Sequence, residues 1–168
     1  MKRIIMVRHA KAEEHGWHKS DYERKLRPRG RKDAKRIAEA LIKNHGIIPD
    51  HMITSPATRA LETAEIFADV MNFPRVSIQK EIDLYDGMST REFYQLIEAN
   101  DESIRTVLVF GHNPSIYLFT HSLLQGFYGD MPTCSVVSIT YEMDDWNDLP
   151  LVAGEMEFHE YPKLFKLA

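Results

Sequence analysis

The chain has 168 residues, of which 43% are apolar and 27% are charged, and its formal net charge at pH 7 is -4. These ordinary globular values predict one domain over residues 1–168. The acidic balance argues against a nucleic-acid-binding protein, and no apolar run approaches the roughly 20 residues of a membrane-spanning helix. The single cysteine, Cys134, excludes an internal disulfide; with no evident signal peptide, it favours a cytoplasmic protein.

The first predicted strand is the apolar run Ile4–Val7, which stops abruptly at Arg8–His9. The polar segment Lys11–Arg27 follows, and it is either an ordinary solvated loop or the mouth of a site. A helix is predicted to begin near Pro28 and to close at Gly46. Its apolar face has helical spacing and consists of Ala34, Ile37, Ala38, Leu41 and Ile42.

A second strand is predicted at Met52–Thr54, with a helix after it. Ser55 is a candidate N-cap and Pro56 a candidate first residue of this helix, which should run to Met71. This prediction places Arg59 on the first helical turn. The apolar face is predicted to be Ala60, Ala64, Phe67, Ala68 and Met71.

The second half of the chain continues the alternation of strands and helices. Its predicted elements are strand Arg75–Gln79, helix Ser89–Ala99 opened by a capping box, strand Thr106–Phe110, helix Pro114–Gln125, and strands Cys134–Tyr141 and Met156–Tyr161. An acidic loop, Asp144–Asp148, separates the last two strands, and Cys134 is expected to pack in the core. The alternation predicts an α/β fold, a three-layer α/β/α sandwich with a mostly parallel central sheet.

Cationic side chains from three separate segments are predicted to meet at one edge of this sheet. Arg8 and His9 follow the first strand, His112 follows a later one, and Arg59 opens a helix. Ligands of open α/β sheets bind at the carboxyl ends of the strands, and helix starts favour anions. Taken alone, Arg8 and His9 are also consistent with a polar strand end that leaves the core for solvent. Together they predict an anion site.

These four side chains suit phosphoryl transfer. Two guanidinium groups can grip the oxygens of one phosphoryl group. One histidine can attack phosphorus and carry the group briefly, while the other donates a hydrogen bond to an oxygen. Neither a metal nor a cofactor is predicted, because the cations are built in. His15 and His18 are spaced for a zinc site, but no cysteine or carboxylate cluster completes it, so they are interpreted as solvated loop residues.

At this point the chain resembles the histidine phosphatase superfamily, in its phosphoglycerate-mutase-like branch. The family's R-H-G tripeptide corresponds to Arg8–Ala10, its S-P-x-x-R motif to Ser55–Arg59, and its late G-H motif to Gly111–Pro114. The short length is similar to that of the SixA-type phosphohistidine phosphatases. Four further segments share this resemblance: Leu26–Gly30, Leu84–Asp86, Met131–Cys134 and Tyr161–Lys163.

The resemblance implies that His9 is the nucleophile and forms a phosphohistidine intermediate. Arg8, Arg59 and His112 would then complete the phosphate pocket, and Asn113 could add its backbone N–H. The chain departs from the family at Ala10, where glycine is usual; the extra methyl restricts the backbone but leaves the charged groups intact.

Many members of the family also carry a carboxylic acid that protonates an alkoxide leaving group. The candidates here are Glu81, Asp83 and Asp86, which are alternatively solvated loop acids. The imidazole of phosphohistidine can leave as a neutral ring, with a conjugate-acid pKa near 6.5, and needs no strong acid. The preferred substrate is therefore a phosphohistidine protein. A small phosphorylated metabolite and a non-catalytic phosphate-binding role are the alternatives.

Overall fold

The computed structural model describes residues 1–16 and 19–166 and shows a three-layer α/β/α sandwich around a six-stranded sheet. The strands are β1 (Lys2–Arg8), β2 (His51–Thr54), β3 (Gln79–Lys80), β4 (Thr106–Gly111), β5 (Val136–Tyr141) and β6 (Glu155–Glu160). The helices are α1 (Pro28–His45), α2 (Thr58–Val70), α3 (Asp83–Asp86), α4 (Thr90–Glu98), α5 (Ser115–Leu123) and α6 (Pro162–Lys166).

The strands lie in the order β3-β2-β4-β1-β5-β6. The four strands from β3 to β1 are parallel, whereas β5 and β6 form an antiparallel extension. The predicted fold class, including the mostly parallel sheet and the closing strand pair, is thereby confirmed.

Alternation along β1 explains the three layers. Ile4 and Met6 pack with α4 and α5, and Ile5 and Val7 pack with α1 and α2. Successive side chains of a strand point to opposite faces, so a strand covered by helices on both faces is apolar throughout. The unbroken run in the sequence is a consequence of this burial.

Strand register positions the candidate site. In the parallel pairing of β1 with β4, Arg8 lies opposite Gly111, and the N–H of His9 donates to the Gly111 carbonyl at 3.0 Å. The next residue of each strand is a histidine. The two histidines therefore leave the sheet side by side at its carboxyl edge.

Two predicted helix starts and one helix face need correction. Helix α2 begins at Thr58 after Ala57, so Ser55 is not its N-cap and Pro56 is not its first residue. The Ser55 hydroxyl instead contacts His112, a contact that its sequence neighbours do not predict. Helix α5 is shorter than predicted and begins at Ser115. On α1 the predicted face is buried except for Ile42, which is 41% exposed.

The prediction of a strand at Arg75–Gln79 is mostly wrong. Residues Arg75–Ser77 form a 3₁₀ turn, and the strand at this edge is the two-residue β3. Val76, in the middle of the predicted strand, is 96% exposed and packs against no face of the sheet. The short helices α3 and α6 were not predicted, because five residues or fewer cannot display a helical period.

Cys134 is buried and unpaired, as predicted for a core residue, although β5 begins only at Val136. Among the described residues, no helix combines the length and apolar character that a membrane crossing requires.

Candidate active site

The structure brings together the four residues that the sequence singled out. His9 and His112 extend from neighbouring strands, and their ring centroids are 5.3 Å apart. Arg59 lies on the first turn of α2, as predicted, and Arg8 is the last residue of β1. His9 is 8% exposed and Arg59 is 6% exposed, and Arg8 and His112 are half-buried, so the four side chains lie in a largely buried pocket.

Three nitrogen atoms of this pocket are buried and have no hydrogen-bond partner within the described part of the chain. They are Arg8 Nε, Arg59 Nε and His112 Nδ1. Buried donors are almost always satisfied, and each unsatisfied one costs about 1–3 kcal/mol. Two of the three atoms are arginine N–H donors, so this pocket offers buried donors to an acceptor-rich anion.

His9 is held in one tautomer. Its Nδ1 lies 2.7 Å from the carbonyl oxygen of Ala10, which can only accept, so Nδ1 carries the proton. Burial lowers the pKa of His9 to about 3, the bond to Ala10 opposes this shift, and neighbouring positive charges reinforce it. Near neutral pH the ring is uncharged, and the lone pair resides on Nε2.

The second histidine, His112, also has one fixed contact and one open nitrogen. Its Nε2 lies 2.7 Å from the hydroxyl oxygen of Ser55, and its Nδ1 is among the unpartnered atoms. Burial and the positive charge of Arg59 lower the pKa of His112 to about 4. Register explains the contact: Thr54 of β2 pairs with Phe110 of β4, so the following residues of both strands lie at the same edge.

Arg59 is oriented by Asp21, a residue that sequence reasoning missed. Its Nη1 donates to the Asp21 carbonyl at 2.7 Å and its Nη2 to the Asp21 carboxylate at 3.0 Å. Tyr85 OH donates to the same carboxylate at 3.0 Å, and its ring contacts that of His112 edge to face. Nη1 and Nη2 each keep a second N–H, and Nε has no partner among the described residues, so Arg59 retains donors for a ligand.

The charge state of Asp21 is set by these partners. Burial would raise the pKa of Asp21, but the hydrogen bonds from Tyr85 and Arg59 outweigh it and hold that pKa at about 2. The carboxylate is therefore ionised at neutral pH. Asp21 lies in a 3₁₀ turn, Asp21–Glu23, of the polar segment Lys11–Arg27, so part of that segment does form the site.

Arg8 and Asn113 share one anchor. Arg8 Nη1 and Asn113 Nδ2 both donate to the carbonyl of Met131, at 3.0 and 3.1 Å. Burial lowers the pKa of Arg8. The segment Met131–Cys134, which shares the resemblance to SixA-type proteins, thus anchors the Arg8 side of the pocket, whereas Asp21 anchors the Arg59 side.

Ala10 is accommodated without loss of backbone bonding. It is fully buried, and its N–H donates to the hydroxyl of Thr63 at 3.0 Å. That hydroxyl in turn donates to the carbonyl of Arg59 at 2.7 Å. The position that usually holds glycine therefore links the strand of His9 to the helix of Arg59.

The three candidate acids lie apart from this network. Glu81 accepts a hydrogen bond from Gln79 at 2.8 Å, and Asp83 and Asp86 are exposed. In the portion of the chain that the structure describes, no hydrogen bond or ion pair joins them to the four pocket residues. Their proposed role as a general acid stays a prediction.

The histidine pair considered for zinc is not described in full. His18 lies outside the described residues, and His15 is exposed, with its ring 4.0 Å from Asp21. Within residues 1–16 and 19–166, no three His, Cys, Asp or Glu side chains are grouped so that they could hold a metal ion.

Comparison with known proteins gives a family match. The model of the histidine phosphatase superfamily (branch 1) matches residues 4–88, about half of the chain. An uncharacterized chloroplastic protein of Arabidopsis thaliana is 24% identical over 160 residues, which are 91% of this chain and 72% of the plant protein.

Two solved structures show the same fold. The protein histidine phosphatase SixA in complex with tungstate superposes with a TM-score of 0.81 at 21% identity, covering 97% of this chain and 99% of SixA. A mycobacterial glucosyl-3-phosphoglycerate phosphatase superposes with a TM-score of 0.66 at 16% identity, covering 94% of this chain and 97% of its own. At these identities the likeness concerns the fold.

Proposed function

The chain belongs to the histidine phosphatase superfamily, and we propose that it is a phosphatase that removes the phosphoryl group of phosphohistidine in a protein. The observation that carries this proposal is a set of three buried nitrogen atoms, two of them arginine N–H donors, that have no partner among the described residues and lie beside a neutral histidine. A tetrahedral oxyanion bound there would satisfy the donors.

His9 is proposed as the nucleophile. Because Nδ1 is bonded to the Ala10 carbonyl, Nε2 keeps its lone pair and can attack phosphorus in line. The Nε2–P bond forms as the bond from phosphorus to the substrate imidazole breaks. In the second step water attacks phospho-His9, the P–Nε2 bond breaks, and inorganic phosphate leaves.

The remaining pocket residues stabilise the transferred group. Arg8 Nε, Arg59 Nε and His112 Nδ1 are proposed to donate to the phosphoryl oxygens. Such transfer is catalysed mainly by positioning and charge neutralisation. The two guanidinium groups supply fixed positive charge, so the proposed reaction needs no metal or cofactor. The backbone N–H of Asn113 is proposed as a further donor.

The state of Asp21 favours a P–N bond in the substrate. It is the carboxylate that hydrogen bonds to Arg59, and with a pKa of about 2 it has no proton to donate at neutral pH. An ester alkoxide needs such a proton, whereas an imidazole leaving group protonated at its far nitrogen departs as a neutral ring. The phosphohistidine substrate therefore fits the observed site.

A small phosphate ester is the second candidate substrate. A mycobacterial protein of the same fold is a glucosyl-3-phosphoglycerate phosphatase. For this chain, ester hydrolysis requires that Glu81, Asp83 or Asp86 reach the leaving oxygen. Asp83 and Asp86 are exposed at the two ends of α3, the helix that carries Tyr85. Substitution of these acids therefore tests whether one of them protonates an ester leaving group.

The deciding experiment compares phosphate release from a phosphohistidine protein and from an aryl phosphate ester, with a chelator present. We expect fast release from the first and slow release from the second. His9→Gln should abolish turnover. It should also abolish the phospho-His9 intermediate, which is detected as labelled enzyme when the phosphoryl group of the substrate carries a label. His51→Gln is the matched control, because His51 lies at the opposite end of β2 and bonds Gln79.

Faster release from the ester than from the phosphohistidine protein would favour the small-ester activity. That activity would be assigned if a triple variant with Glu81→Gln, Asp83→Asn and Asp86→Asn lost ester turnover. Undiminished turnover by a folded His9→Gln variant would overturn the proposed nucleophile.

A further inference from the structure

The Ser55 hydroxyl occupies an unusual position between the backbone and the pocket. Ser55 is fully buried, and its Oγ accepts a hydrogen bond from the Ala57 N–H at 3.2 Å. The same oxygen lies 2.7 Å from His112 Nε2. Within the described residues Oγ has no third partner, so its one proton and its lone pairs must be divided between these two contacts.

Two arrangements of protons are compatible with these distances. In the first, the Ser55 O–H donates to a bare Nε2, and the neutral ring of His112 carries its proton on Nδ1. In the second, Nε2–H donates to Oγ, and the serine proton has no acceptor among the described residues. A hydroxyl has one donor and two acceptor sites, and an unsatisfied buried donor is unfavourable. The first arrangement satisfies every group of Ser55 and leaves one donor without a partner in the described part of the chain, His112 Nδ1–H. The second leaves two unpartnered groups within the described residues, the Ser55 O–H and the lone pair of His112 Nδ1.

We propose that Ser55 is a positioning residue that holds His112 as the Nδ1–H tautomer, so that a neutral ring presents a hydrogen-bond donor to the anion pocket. The assigned tautomer rests on the contacts of Ser55 and His112 and on a neutral His112 ring. Its use in catalysis rests on the proposed phosphatase function. Ser55 touches no reacting atom; it acts through His112.

The alternative tautomer would work against anion binding. With the proton on Nε2, the lone pair of Nδ1 would face the pocket and repel a phosphoryl oxygen. Burial and the charge of Arg59 keep the pKa of His112 at about 4, so near neutral pH the unliganded ring has a single proton to place. The choice of tautomer therefore decides whether this nitrogen donates or accepts.

The tautomer is measured directly by ring-nitrogen NMR of histidine-labelled protein near neutral pH, without phosphate or substrate. The His112 signals are identified by their loss in His112→Gln. We expect a protonated Nδ1 and an unprotonated Nε2 in the unmodified protein. A protonated Nε2 with a bare Nδ1, or a ring protonated on both nitrogens, would overturn the proposal without recourse to any variant.

Substitutions then test the cause. In Ser55→Ala we expect the Nε2–H form to appear and kcat/KM to fall about 10- to 100-fold, as for loss of one preorganised donor. Ser55→Thr, which keeps the hydroxyl, should restore the Nδ1–H signature and most of the activity. The matched control is Ser122→Ala, which removes a hydroxyl bonded to Tyr94 away from the pocket.

An unchanged tautomer in folded Ser55→Ala would refute the role of the hydroxyl. The phosphatase proposal and the tautomer proposal can fail separately. An Nδ1–H signature in a protein that hydrolyses no phosphorylated substrate would refute the proposed function and leave the tautomer assignment intact. Turnover together with an Nε2–H signature refutes the assignment alone.

Discussion

The substitution of His9 by glutamine should flatten the dependence of stability on pH. His9 and His112 are buried as neutral rings, with pKa values of about 3 and about 4. In the unfolded chain each has the ordinary value of about 6.5. A group whose pKa is depressed on folding contributes stability above the unfolded pKa, and this stability is lost as the pH falls towards the folded value.

The magnitude depends on the proton that only the unfolded state binds. Between about pH 7 and about pH 5 the unfolded imidazole gains a proton while His9 stays neutral in the folded protein. The interval from the unfolded pKa of about 6.5 down to about pH 5 is about 1.5 pH units. At about 1.36 kcal/mol for each unit, the free energy of unfolding falls by about 2 kcal/mol. His112 should contribute a similar loss, so the two together remove about 4 kcal/mol.

The assay is urea unfolding at about pH 7 and about pH 5, in buffers without phosphate or sulfate. Fluorescence of buried Trp146 can report the transition. In His9→Gln the loss of stability over this interval should be smaller than in the unmodified protein by about 2 kcal/mol. Any general effect of the glutamine cancels, because each protein is compared with itself at the two pH values.

An equal loss in His9→Gln and the unmodified protein would refute the reasoning. It would mean that His9 is already protonated in the folded protein at about pH 5, and a protonated imidazole has no lone pair for attack on phosphorus. The double variant with His112→Gln serves as an internal check, since its pH dependence should be reduced about twice as much.

Two further substitutions test how the pocket is supported. Asp21→Asn should lower kcat/KM about 10-fold while circular dichroism stays unchanged, because Arg59 loses a charge-assisted partner at 3.0 Å; an unaltered kcat/KM would exclude a role for Asp21 in placing the guanidinium. Gly30→Ala should lower the melting temperature by roughly 2–12 °C, since overpacking costs about 1–3 kcal/mol and each kcal/mol shifts the melting temperature of a domain of this size by about 2–4 °C. The added Cβ would lie 2.1 Å from the Lys11 carbonyl oxygen; an unchanged melting temperature would show that this contact relaxes freely.

Local patterns in the sequence were sufficient to predict five of the six strands and to place four candidate residues at one edge of the sheet. An apolar run such as Ile4–Val7 is required wherever helices cover both faces of a strand, so it is visible without knowledge of the fold. The residues directly after such strands must emerge at the carboxyl edge. Arg8, His9 and His112 were therefore predictable by position, and Arg59 by its place on the first turn of a helix.

The supporting contacts were decided by tertiary structure. Asp21 and Arg59 are 38 residues apart, and Ser55 and His112 are 57 apart, and no local period relates them. The neighbours of Ser55 in the sequence predict a helix cap, because a serine before proline is typical of that position.

The sequence by itself determined which side chains emerge at the carboxyl edge of the sheet, since hydrophobic periodicity marks where strands end and which residues emerge from their ends. Only the tertiary structure decided their proton positions and charge states. Which nitrogen of His9 or His112 bears a proton depends on one carbonyl and one hydroxyl placed by backbone conformation and strand register. Burial, a property of the whole fold, sets their pKa values.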